Sequence, residues 1–347
     1  TTTIVGRYTD GGGVGRDAFT VTINADGTLT VQQLVALEHL QDGGPALHND
    51  ALTLNGLISA TVTIKDGDDD TATAKTEIGD QISFLDDGPS VTASAAGAAL
   101  VLNDESATSS VAATINTGAI VKGDDPNVGG TGAISTATSG TAVVTATPIY
   151  GADGAAASNA LTYALAVTNA TSGLTVTDGS AINLVLVGNV IVGQVSGGAF
   201  AGQAAFAIAI NPTTGVVTVE QYLSLDHPNA ANPDDMVQLL ANTLGVVVTA
   251  TDSDGDTATS GTIDISAQIR FDDDGPTISN VAGGGSVTLD ETSGFDTVTS
   301  GTAVIAASLA YGADGAAATG AAVYGIELSG GGTSVASGIV TAVGDFA

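Results

Sequence analysis

The chain has 347 residues, 43% of them hydrophobic, with aromatics at only 4% and neither Trp nor Cys. Thirty-seven acidic residues face six basic ones, Arg7, Arg16, Lys65, Lys75, Lys122 and Arg270, for a formal charge of −31. This balance excludes nucleic acid, which needs a basic footprint, and direct docking on anionic lipid; the composition excludes disulfides and thiolate metal sites, and no apolar stretch reaches the roughly 18 residues of a membrane span.

With 47 Gly and many Thr, Val and Ala, the chain predicts short strands joined by tight turns, not a helical bundle. Asn24-Ala25-Asp26-Gly27 is a hairpin-type turn in which Gly supplies positive φ. Residues 58–64 alternate as a half-buried strand should, and Asp66, Asp68 and Asp70 come directly after. Phe84-Leu85-Asp86-Asp87-Gly88-Pro89 reads as a joint, because Pro forbids a central strand and Gly allows the reversal. Asp104-Glu105 is expected to begin the first strand of the next unit. Residues 107–138, rich in Gly, Thr and Asp, read as a loop insertion. Asn211-Pro212-Thr213-Thr214-Gly215 is another turn, residues 234–240 predict a short helix with an N-terminal Asp, and residues 244–251 predict a strand. Asp252-Ser253-Asp254-Gly255-Asp256 then lies between strands. Phe271-Asp272-Asp273-Asp274-Gly275-Pro276 forms a second joint, and Asp290-Glu291 is expected to begin the first strand of the unit after it.

This order is a repeat. Pro276 lies 187 residues beyond Pro89, and Ile4-Val5-Gly6 and Ala18-Phe19 return as Ile191-Val192-Gly193 and Ala205-Phe206 at the same offset. Leu37-Glu38-His39 returns as Leu225-Asp226-His227. Between the acidic pairs the offset is 186, but Tyr150-Gly151-Ala152-Asp153-Gly154 returns as Tyr311-Gly312-Ala313-Asp314-Gly315 at 161, so the middle copy carries 25 additional residues. Such self-similarity marks a tandem array. Residues 1–87 are the back half of one repeat, 88–274 a complete repeat and 275–347 the opening of a third. With both ends inside repeats and no initiating Met, the chain reads as a segment of a longer polypeptide. In an array, function belongs to reach, stiffness and copy number more than to one pocket.

The chemistry lies in the acids. Asp252, Asp254 and Asp256 around Gly255 can converge on one hard cation, and Asp66, Asp68 and Asp70 keep the same spacing. The twelfth position from Asp252 is Ile263, so this is not an EF-hand. Asp272, Asp273 and Asp274, with Asp86 and Asp87 in the earlier copy, would splay apart at a joint unless a cation held them. Asp104-Glu105 and Asp290-Glu291 are placed to return to the same joint. Oxygen donors of this kind point to Ca²⁺. His39 and His227, each beside an acid, are expected to cap or stabilise turns, since no nucleophile repeats with them. The chain has no nucleophile elbow and no Gly-rich loop with a Lys behind it. Its aromatics are too few to grip a sugar for paired-carboxylate hydrolysis. It therefore reads as non-enzymatic.

Thr214-Gly215-Val216-Val217-Thr218, Leu225-Asp226, the run from Val248 to Asp254, and Asp272-Asp273-Asp274-Gly275-Pro276 resemble the cadherin order of motifs. That resemblance implies an interdomain Ca²⁺ cluster of Asp252, Asp254, Asp272 and Asp274, with Asp226. His227 stands where cadherins carry Arg, the Glu after it is missing, and the unit is much longer. Over the whole chain, the Tyr-Gly-Ala-Asp-Gly, Leu-Asp/Glu-His, Asp-x-Asp-x-Asp-Thr-Ala-Thr and Asp-Asp-Gly-Pro motifs are similar to the large repeats of giant type I secreted bacterial adhesins of the RTX-associated group. This implies export to the cell surface, Ca²⁺-dependent folding and a role as an extender in adhesion or biofilm formation. The RTX nonapeptides are absent, so the segment belongs to the array.

The expected fold is all-β: tandem Ig-like or cadherin-like β-sandwich repeats in an elongated array, with Ca²⁺ at the joints and neighbouring repeats as the first partners. Two other readings stay open. The chain also reads as the subunit of a surface filament, a homopolymer built by strand addition between repeats. Alternatively, it reads as a glycan- or partner-binding module acting through the insertion.

Overall fold

A computed structural model describes residues 2–39, 44, 48–106, 109–294, 296–329, 331–334, 337 and 339. Residues 107 and 108 of the insertion, and 340–347 with several others of the third repeat, lie outside the described residues. Among those described the chain is all-β, with three single 3₁₀ turns and no α-helix, and no helix is long and apolar enough to cross a membrane.

The first repeat contributes β1 (Thr2–Thr9), β2 (Gly15–Ile23), β3 (Leu29–Gln33), β4 (Ala51–Thr53), β5 (Ser59–Lys65), β6 (Thr71–Glu77) and β7 (Ser83–Leu85). The second begins with β8 (Ser90–Ala95), β9 (Val101–Asp104), β10 (Ser135–Ala142) and β11 (Val144–Ile149). It continues through β12 (Leu161–Val167), β13 (Thr171–Thr175), β14 (Ala181–Val187), β15 (Val190–Val195), β16 (Ala204–Ile210) and β17 (Val216–Gln221). It closes with β18 (Met236–Gln238), β19 (Leu244–Thr251), β20 (Thr257–Thr259), β21 (Ile263–Asp264) and β22 (Ile269–Asp272). The third supplies β23 (Thr277–Gly283) and β24 (Ile305–Ala310).

The complete repeat is a two-layer packing of sheets. One layer is a six-stranded antiparallel sheet in the order β10-β17-β16-β15-β14-β13. Across from it lie β12-β19-β20, with β21 also on β19, and the paired strands β8 and β11. A smaller sheet, β18-β22-β9, closes one end, with β9 parallel to β22. Alternation along the strands puts Ile191, Phe206, Ile208, Val217 and Val219 of the first layer against Leu165, Val246, Val248 and Phe271 of the rest, all buried in one cluster. Each large apolar side chain buried this way contributes roughly 1.5–3 kcal/mol.

The sequence repeat is a structural repeat. Strands β1, β2 and β3 pair as β15, β16 and β17 do. Gly6 pairs with Phe19, Gly193 pairs with Phe206, and the register slips by one residue immediately afterwards in both copies. A Cβ at Gly6 or Gly193 would enter the Phe ring opposite, so glycine is required for the ring to lie over the strand at this bulge. The 3₁₀ turns Gly79–Gln81 and Ser266–Gln268 also occupy the same place in their repeats.

Residues 234–240 differ from the sequence expectation. Met236–Gln238 is strand β18, paired with Arg270 to Asp272 of β22. So short a stretch gains more from a sheet ladder than from an isolated helical turn with a costly nucleus. Asp104 ends β9 instead of starting the first strand of the repeat, because β8 precedes it, and Asp290-Glu291 enters a 3₁₀ turn.

The described part of the insertion forms few regular pairs yet packs closely. Ile115 and Ala133 are buried against Val192, Ala204, Ala207 and Tyr222 on the outer face of the six-stranded sheet. Glu220 fastens it, accepting hydrogen bonds from the Thr114 amide at 2.6 Å, the Thr114 hydroxyl at 2.7 Å and the Tyr222 hydroxyl at 2.8 Å. Burial raises the Glu220 pKa, but these donors outweigh it and hold the carboxyl below its ordinary value.

Candidate metal centres at the repeat boundaries

Each Asp-Asp-Gly-Pro joint continues a strand that ends beside the loop carrying the repeated His. At the first boundary β7 runs into Asp86, whose amide donates to the Asp50 carbonyl at 3.1 Å; at the second, β22 runs into Asp273, whose amide donates to the Asp235 carbonyl at 3.0 Å. That pairing sets two aspartates side by side. The Tyr-Gly-Ala-Asp-Gly loop of the next repeat then docks on the last aspartate of the joint. The Ala152 amide donates to Asp87 Oδ2 at 2.9 Å, and the Ala313 amide donates to both oxygens of Asp274 at 3.1 Å.

The result is one side-chain cluster built twice. At the first boundary His39, Asp50 and Asp86 place a ligand atom each within 4.8 Å of one another, and so do Asp86, Asp87 and Asp153. At the second boundary the sets are His227, Asp235 and Asp273, and Asp273, Asp274 and Asp314. Asp86 and Asp273 belong to both sets of their boundary. Every member has its counterpart at the other boundary, and each cluster takes Asp153 or Asp314 from the next repeat.

Asp252, Asp254 and Asp256, in the turn between β19 and β20, reach back to the first boundary. Asp252 bridges to Ala155, and the charges of Asp254 and Asp256 raise the pKa of both Asp86 and Asp153. Burial and then these charges push Asp86 up to about 6. Burial, with contact to Asp254 as the second cause, pushes Asp252 up to about 7. Both oxygens of Asp252 and of Asp254 are buried and find no hydrogen-bond partner among the described residues. His48 crosses the same boundary, with Nε2 3.0 Å from the Thr257 carbonyl oxygen.

At the second boundary Glu105 supplies the extra acid. It is fully buried, accepts hydrogen bonds from the Leu225 amide at 3.0 Å and from Gln221 Nε2, and lies 3.8 Å from His227 Nε2. Burial pushes its pKa up against those donors. Burial opposes a proton on His227, but Glu105, Asp273 and Asp235 outweigh it and its pKa is raised. Asp314 is pushed up to about 7 by burial and then by Glu105, Asp273 and Asp274.

The remaining acids singled out by sequence lie elsewhere. Asp66, Asp68 and Asp70 converge in the turn between β5 and β6 but are exposed. Asp104 is exposed and caps Ser106, while its charge reaches Asp272 and Asp274. Asp272 ends β22 opposite Asp104. Asp226 is exposed and accepts from the Thr175 hydroxyl at 3.2 Å. Asp290 caps its own 3₁₀ turn and Glu291 is exposed, neither joining a cluster of the described residues.

His39, His227, Asp50, Asp235, Asp153 and Asp314 are not marked as ligands by any local motif. Their signal in the sequence is register: each recurs in the next copy, even where the surrounding residues change. Both histidines lie among carboxylates, His39 Nδ1 at 2.9 Å from Asp50 Oδ1.

The chain matches the family model described as Domain of unknown function (DUF5801) over residues 1–79 and 94–266. The two matched stretches end 187 residues apart, the offset of the internal repeat. No curated protein and no solved structure matches the chain.

Proposed function

Since the chain belongs to the DUF5801 family, we propose that its repeats form a calcium-stiffened extender, a string of β-sandwich units whose boundaries are locked by shared cations. The observation that carries this reading is the doubled boundary cluster, assembled each time from two successive repeats. Carboxylates so close together repel, and burial makes each unbalanced charge costlier. Ca²⁺ takes six to eight oxygen ligands at about 2.3–2.6 Å and tolerates irregular geometry. Asp86, Asp87 and Asp153, with Asp252 and Asp254 beside them, offer such oxygens from both sides of the boundary. Without the ion the joint is a hinge between like charges. With it, shared coordination fixes the angle between neighbours, and mass action places the gain in the millimolar Ca²⁺ of an extracellular setting.

The role of that rod as part of a secreted bacterial surface adhesin rests on the resemblance of its motifs to adhesin repeats. The test is thermal unfolding with millimolar CaCl₂ and with EDTA, paired with small-angle scattering. A Ca²⁺-dependent rise in Tm with a longer, narrower particle supports the reading; identical curves in both buffers refute it.

A further inference from the structure

The two halves of each boundary cluster differ in chemistry. Asp273, Asp274 and Asp314 offer only oxygen, whereas His227, Asp235 and Asp273 mix imidazole nitrogen with two carboxylates. The histidine side chain is 1% exposed, and neither of its ring nitrogens makes a hydrogen bond with a described residue. Asp235 Oδ1 and Asp273 Oδ1 are likewise buried without a hydrogen-bond partner among the described residues. The ring has carboxylates at ion-pair distance but none at hydrogen-bond distance, and a buried polar group so incompletely satisfied is costly, which points to a ligand between them.

The ring orientation says which ligand. Nε2 faces Glu105 Oε1 at 3.8 Å, and Nδ1 faces Asp235 Oδ1 at 3.9 Å. A histidine that binds a metal almost always turns its other N–H toward a carboxylate or carbonyl, which fixes the tautomer and raises ligand basicity. Glu105 stands on the Nε2 side where that partner belongs, Asp235 faces Nδ1, and Asp273 completes the set within 4.8 Å. Tetrahedral ligands at about 2.1 Å from a zinc ion sit about 3.4 Å apart, so a bound ion would draw in Nδ1 and Asp235 Oδ1 from 3.9 Å and the whole set from within 4.8 Å. At the first boundary the corresponding pair makes a hydrogen bond instead, His39 Nδ1 lying 2.9 Å from Asp50 Oδ1, so the unsatisfied imidazole is a feature of the second boundary.

We propose that the second boundary holds, beside its all-oxygen cluster, a histidine-bearing subsite for a borderline divalent cation of the Zn²⁺ class, formed by His227, Asp235 and Asp273. It rests on the boundary cluster of the calcium reading and shares Asp273 with it as a bridging carboxylate. Imidazole nitrogen is a poor ligand for Ca²⁺ and a good one for Zn²⁺, so the two subsites sort two cations. Three protein ligands leave a fourth position open to water or to a donor from outside.

The test is equilibrium dialysis of the metal-free chain against Zn²⁺ in saturating CaCl₂, with bound metals counted by mass spectrometry. One zinc equivalent is expected in the parent, lost in His227→Ala and retained in His39→Ala, with calcium uptake kept in both. No zinc retained by the parent, or zinc unchanged in His227→Ala, overturns the subsite. Circular dichroism checks the variants; if they unfold, Co²⁺ substitution of the parent decides, because the subsite requires visible d–d bands with Ca²⁺ present and their absence overturns it. Zinc bound without any calcium uptake would leave this subsite standing and end the calcium reading, and the reverse pattern would do the opposite.

Discussion

Asp274 of one repeat is held by Ala313 of the next, whose amide donates to both carboxylate oxygens at 3.1 Å. Asp87 and Ala152 make the same contact one repeat earlier. The residue before each alanine is Gly312 or Gly151, at φ +74° and +72°, where a Cβ would run into the aspartate carboxylate. Gly151→Ala or Gly312→Ala should cost about 1–2 kcal/mol in backbone strain and displace the carboxylate from its boundary. The measurement is the Tm gain on adding Ca²⁺, expected to be smaller in either variant than in the parent. An equal gain would mean that the clamp does not place the ligand.

Asp252 and Asp254 predict a reversal of sign. In EDTA, Asp252→Asn/Asp254→Asn removes two buried like charges and should raise Tm. In millimolar Ca²⁺ the same change removes ligands and should leave the variant below the parent. A variant less stable than the parent in both buffers would assign the pair a structural role alone.

The acids also set a pH dependence for the metal-free chain. Asp86 is pushed up to about 6, and Asp252 and Asp314 to about 7, from an ordinary 3.8. A carboxyl with a higher pKa in the folded state binds more protons folded than unfolded between the two values, so stability falls as pH rises through that window. Unfolding in EDTA should therefore show its highest Tm near pH 4 and a steady decline toward pH 7. Saturating Ca²⁺ should flatten or reverse the slope, because the ion replaces the protons. A metal-free Tm that climbs from pH 4 to 7 would contradict the burial of these groups.

Glu220 anchors the insertion, and its loss should release it. Glu220→Ala strands the Thr114 and Ile115 amides and the Tyr222 hydroxyl, each unsatisfied buried group costing about 1–3 kcal/mol. Deleting residues 109–133 should likewise lower the Tm of the complete repeat by uncovering Val192 and Tyr222. A free loop would predict an unchanged Tm in both cases.

Much of the architecture is legible in the residues themselves. Gly6 opposite Phe19 and Gly193 opposite Phe206 sit 187 residues apart in sequence, and the strands pair with the same bulge in both places. Alternation of Val, Ile and Thr predicts β19 and β5, and the Asp-rich blocks fall in the turns after them, because period-two patterning and turn chemistry are local properties. Met236–Gln238 departs from its expected helix for the opposite reason. Its strand state depends on Arg270 to Asp272 lying alongside, a partner about 34 residues away that no local propensity records.

The candidate site divides along the same line. By itself the sequence determined the all-β class, the repeat and its register, and the acids of the joints, since each of these is written in composition, spacing or recurrence. Only the tertiary structure decided which acids meet. It drew Asp153 and Asp314 from the next repeat, brought Asp50 and Asp235 beside the joint through a strand pair, buried His39 and His227 among them, and left Asp226 and Asp290 outside. The reason is physical: a coordination sphere is a set of distances across chain segments far apart in sequence, and those distances exist only once the sheets have paired and packed.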